Sequence, residues 1–162
     1  MKIGVAIERL ADAERELADE LLEAGERHKP DHDVFHVTKT LARLEEGHLE
    51  ALAGHAERYD AKMKVLGDGA GPAGLARAAT DKGAELLGRR PEPGLLLLRD
   101  LRHLHVLAAG TSLDWVALGQ GAQAAKDAAL LRTVSACHAE TLRTLKWTTY
   151  RLKEAAPQVL TS

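Results

Sequence analysis

From Asp31 to Asp60 the chain reads DHDVFHVTKTLARLEEGHLEALAGHAERYD, and steps of three and four residues through it select Val34, Thr38, Leu41, Glu45, His48, Leu52, His55 and Tyr59. Such steps return to nearly the same azimuth of an α-helix, so these side chains share one face, the face that a globular helix buries. A strand would need strict alternation, which the stretch lacks. The same face carries Glu45, His48 and His55, where leucine is the ordinary occupant and where unpaired ionisable groups are costly. The stretch therefore predicts a helix over 31–60 and polar chemistry inside whatever that helix packs against.

The rest of the chain supplies the packing partners. A first helix over 3–28 has the stripe Ile3, Ile7, Leu10, Leu17, Leu21 and Ala24, interrupted at the same spacing by Glu14. Pro30 stops it, Asp31 or Asp33 caps the next, and the short link makes the two helices antiparallel neighbours. Glycines and prolines from Gly67 to Pro93 break the periodicity over 61–93, leaving room for a short helix near 75–87. That segment can return along a thirty-residue helix, roughly 45 Å, so it reads as a crossover. A third helix over 94–125 has the stripe Leu98, Leu101, His105, Ala108, Ser112 and Trp115, with Gly110, Gly119 and Gly121 as places for a kink. Its start, Leu95–Leu98, is apolar all round and suits a subunit contact. Asp127 caps a fourth helix over 127–156, with Leu131, Val134, His138, Thr141, Leu145, Thr148 and Leu152 inward and Pro157 as its stop. The expected fold is all-α: a single domain over 1–162, an antiparallel four-helix bundle with a long crossover between the second and third helices. An up-down-up-down bundle results if the middle segment forms an appendage instead.

Composition narrows the function classes. Aromatics make up 3% of the 162 residues and charged residues 28%, a helical-bundle balance. A formal charge of −2 with interspersed signs argues against nucleic-acid partners. The longest uncharged runs, such as Val106–Leu113, are too short to span a membrane. The lone Cys137 and an opening that turns acidic early, unlike a secretory signal, lead to the expectation of a reducing cytoplasm.

Counting levels along a crossover bundle brings Glu14, Glu45, His48 and His138 to one height, with His105 a turn away and His55 further along its helix. Glu45-x-x-His48 sets an oxygen and a nitrogen donor a turn apart on one face. Two imidazoles with a carboxylate and open positions suit Fe, Mn or Zn, and the ion would neutralise buried charge. Glu14, Glu45, His48 and His138 are therefore the candidate metal ligands, with His55 and His105 behind them.

Asp12-Ala13-Glu14-Arg15-Glu16-Leu17, His48-Leu49-Glu50 with Glu57-Arg58, and Ala124-Ala125-Lys126-Asp127-Ala128-Ala129-Leu130-Leu131 resemble corresponding segments of small bacterial ferritin-like, stress-associated proteins. The resemblance implies a ferritin-like four-helix bundle, a homodimer and a di-metal site. It implies Glu14 as a ligand, ligands between His48 and His55, and His105 and His138 where that family has carboxylates. This chain departs from the pattern. Thr141 stands where a second Glu-x-x-His needs imidazole, Glu140 falls off the expected inward stripe, and so do Asp100 and Asp114. The ligand set is short of a di-iron centre, which favours a mononuclear or vestigial site.

Two other readings stand beside the metal site. The polar layer can fix register in a non-catalytic, dimeric, metal-free bundle. Alternatively His48 and His138 can serve a metal-dependent thiol transferase, although Leu142 occupies the position of that arrangement's second histidine on the last helix. Cys137 reads as an inert buried thiol, and Trp115 and Trp147 as filler of core or interface volume.

Overall fold

A computed structural model describes residues 2–63 and 92–162. They form four long helices: α1 (Ile3–Arg27), α2 (His32–Ala56), α3 (Pro93–Ala124) and α4 (Ala128–Thr161), with a 3-10 turn at Glu57–Tyr59 after α2. There is no strand among the described residues. The expected short helix near 75–87, and all but the ends of the 61–93 crossover, lie outside the described residues.

The helix starts follow from local chemistry. Asp31 Oδ1 accepts the Val34 N–H at 3.2 Å to open α2, and Asp127 Oδ1 accepts those of Ala129 and Leu130 to open α4. Pro93 begins α3, where a missing N–H costs nothing. α2 gives way after Ala56 to the 3-10 turn, ended by Asp60 in the left-handed region at φ 52°. The second helix is thus shorter than the expected 31–60. α3 runs unbroken through Gly110, Gly119 and Gly121. α4 passes Pro157 and continues to Thr161, against the expected stop. Pro157 and Lys153 are both exposed, so the Lys153 carbonyl that loses its partner can turn to water.

The helices pack side by side as a bundle in which α1 contacts α2 and α3, while α4 contacts α3 and α2. On α1 and α2 the buried faces follow the expected stripes, apart from Ile3 and His55, which are half-buried. On α4 Val134, Thr141 and Thr148 of the expected stripe are buried, but the face is turned so that Leu130, Cys137, Thr144 and Ala155 join them while Leu131, His138, Leu145 and Leu152 flank them. α3 shows the same drift: Leu101, Ala108 and Trp115 are buried as expected, but Leu97, Leu104 and Thr111 join them while Leu98, His105 and Ser112 are half-buried.

Close approach holds α1 to α2 near both ends. A Cβ on Gly25 would meet Thr38 Oγ1 at 2.3 Å, and one on Gly4 the Tyr59 carbonyl oxygen at 2.3 Å. One apolar cluster gathers Ile7, Leu10, Leu49, Leu52, Trp115, Leu118 and Leu130, and another Leu17, Leu21, Leu41, Leu104 and Ala108. Along α1 and α2, Glu14, Glu45 and His48 fall between these two clusters, so the apolar core is divided by a polar layer. No described helix is long and apolar enough to cross a membrane.

Candidate metal centre

Glu14 on α1 and Glu45 and His48 on α2 are fully buried, and each occupies a stripe position where its helix would otherwise place leucine. One donor atom from each lies within 4.8 Å of the other two, and the group could hold a metal ion. His48 Nδ1 is 3.2 Å from Glu14 Oε2 and 3.0 Å from Glu45 Oε2. One N–H cannot serve both carboxylates well, and Glu45 Oε2 is left buried without a hydrogen bond of adequate geometry. An orphaned acceptor facing two further donor atoms is what a cation would satisfy.

The atoms on the far side of each residue are held separately. Trp115 Nε1 on α3 donates to Glu14 Oε1 at 2.5 Å. Thr144 Oγ1 on α4 donates to Glu45 Oε1 at 3.1 Å. Glu140, also on α4, accepts from His48 Nε2 at 2.9 Å. The Trp115 indole also meets the imidazole edge to face, with 5.7 Å between ring centroids. An imidazole whose outer nitrogen donates to a carboxylate keeps the lone pair of its inner nitrogen free for an ion, the usual support of a ligating histidine.

Without a cation the layer is held by protons. Burial pushes the Glu14 carboxyl up to about 8, and the neighbouring Glu45 carboxylate adds to the rise against the pull of His48. Burial works against an imidazolium at His48, but Glu14 and Glu45 outweigh it and raise the group to about 10. Burial would raise Glu45 as well, yet the nearby His48 imidazole and Glu14 carboxyl, with the Thr144 hydrogen bond, hold it below the usual carboxylate range. At neutral pH the metal-free layer is therefore a carboxylic acid, a carboxylate and an imidazolium.

The other sequence candidates are placed elsewhere. His138 does not join the group: its Nε2 pairs with Ser112 Oγ at 2.8 Å. The turn of α4 accounts for this, because it moves His138 to the flank and brings Cys137 and Thr144 inward beside Thr141. His55 pairs with Thr133 and His105 with Thr148, each at 2.9 Å. Glu140, expected off the stripe, reaches the layer from the flank with its side chain 36% exposed. It and Thr144 are what the sequence reading missed, and the spacing Cys137, Glu140, Thr141, Thr144, Thr148 was the signal available. Trp115, expected to fill volume, also donates the hydrogen bond to Glu14. Asp100, expected off the stripe of α3, is buried and bonds Arg27 at 2.6 Å and His28 at 2.9 Å.

No family model matches the chain, and no curated protein or solved structure is significantly similar to it.

Proposed function

We propose that this bundle binds a single divalent transition-metal ion through Glu14, Glu45 and His48. The observation carrying the reading is the division of atoms: three inner donors converge, while the outer atom of each residue is bonded to Trp115, Thr144 or Glu140. Two carboxylates and one imidazole suit Fe, Mn or Zn. Three protein ligands leave positions open, so a bound ion would offer Lewis-acid or redox chemistry there. Glu140 would fix the His48 tautomer, and Trp115 and Thr144 would hold the carboxylates in place.

The expected topology is part of the same proposal. Glu14 meets Trp115 while Arg27 meets Asp100, and His55 meets Thr133 while Asp31 meets Arg151. These pairings support antiparallel neighbours and a ferritin-like crossover between α2 and α3. A homodimer through the outer face of α3 is supported by the exposed Leu95, Val106 and Leu113 and by the open space over Gly110. Sedimentation at a monomer mass at micromolar concentration would remove that element. A cytoplasmic setting agrees with the single buried thiol of Cys137.

Elemental analysis of protein prepared without an affinity tag tests the metal. About one equivalent per chain is expected, with the ion and part of the thermal stability lost together in His48→Ala. The second reading, a metal-free layer that fixes register, is favoured by the proton at Glu14, which removes one buried charge without an ion. It predicts a negligible metal content before and after reconstitution, with stability alone lost in the variant.

A further inference from the structure

Where α1 turns into α2, the surface carries a second pair of nitrogen donors that the core layer does not use. His32 and His36 stand one turn apart on α2, both exposed, with ring centroids 4.4 Å apart and ring planes inclined by 52°. Histidines four apart on a helix project from one face, the spacing by which helical metalloprotein motifs grip one ion with two imidazoles. Neither ring is bonded to another side chain among the described residues, although Phe35 lies edge-on to His36 at 5.1 Å. Lys39 sits 3.8 Å over the Phe35 ring. Asp33 points about 100° away around the helix and lies 3.9 Å from Arg151, so it is not the third donor.

We infer that His32 and His36 form an exposed two-histidine chelate for a borderline divalent cation such as nickel, copper or zinc, separate from the core layer. Two neutral imidazoles suit these ions over calcium or magnesium, which prefer oxygen. Water fills the remaining positions, since neither ring is covered. The second imidazole binds intramolecularly once the first has bound, so each histidine multiplies the affinity of the other. The core layer is distinct: His36 and His48 are twelve residues apart on α2, roughly 18 Å along its axis.

The test uses the full chain without an affinity tag and nickel alone as the probe. The parent protein is expected to be retained on immobilised nickel and to bind free nickel in a calorimeter. His32→Ala and His36→Ala should each weaken that binding about tenfold or more, and the double variant should add little, because one imidazole is no chelate. Because both surface positions are exposed, unchanged circular dichroism is expected to accompany the loss. Failure of the parent protein to be retained on immobilised nickel, or retention that survives the His32→Ala/His36→Ala double variant, would overturn the inference.

Discussion

Raising the pH should tighten metal binding at the buried layer steeply, because a cation there has to displace two protons. Burial holds one proton on Glu14, at about 8, and the facing carboxylates hold the other on His48, at about 10. At pH 7 removing them costs one and three pH units, together about 5 kcal/mol of the intrinsic binding energy. Affinity should therefore climb about a hundredfold per pH unit below pH 8 and about tenfold per unit from 8 to 10. Zinc or manganese titrations between pH 6 and 8, repeated in buffers of different ionisation enthalpy, count the protons directly. The metal-free bundle should move the opposite way. Both groups have folded values above their unfolded ones, so the fold binds extra protons and loses stability as pH rises, from Glu14 between about 4.5 and 8 and from His48 between about 6.5 and 10. Metal binding without proton release would refute the assignment of Glu14 and His48 as ligands.

Other perturbations separate the supporting parts. Glu140→Ala should lower metal affinity about 10- to 100-fold with little change in the melting temperature of the metal-free protein, since it orients His48 from a half-exposed position. Gly4→Ala should destabilise by about 1–3 kcal/mol in denaturant melts, because its Cβ meets a backbone oxygen at 2.3 Å, whereas Gly54→Ala, in open space on α2, should stabilise by about 0.5–1 kcal/mol. For Asp100, bonds from His28 and Arg27 outweigh burial and hold the carboxyl at about 2. Its contribution is present above about pH 4 and lost as pH falls towards 2, so Asp100→Asn should cost about 3 kcal/mol at pH 7 and much less at pH 2.

The first half of the site was legible because α1 and α2 are strongly two-faced. Each places one acidic or Glu-x-x-His interruption in an otherwise apolar stripe, and the stripe fixes where it points. The second half was not, for a physical reason. α4 carries Leu130 beside Leu131 and Thr144 beside Leu145, so two neighbouring azimuths are about equally apolar and the pattern does not choose between them. Packing against α3 and α2 makes the choice, burying the threonine line and leaving His138 at the edge. Thr141, Thr144 and Thr148 then bury their hydroxyls by bonding a carbonyl a turn back or, for Thr144, a carboxylate across the core. The indole of Trp115 was legible as bulk and not as a donor, because its partner lies 101 positions away in the chain.

All the groups that would touch an ion sit on α1 and α2, and all the groups that aim them sit on α3 and α4. Grip and alignment are thus encoded in opposite halves of the chain. Substitutions in the latter half can retune how tightly, and in what geometry, an ion is held without deleting a single ligand. The two halves made as separate polypeptides would each lack what the other provides, and an added cation would then report on their reunion.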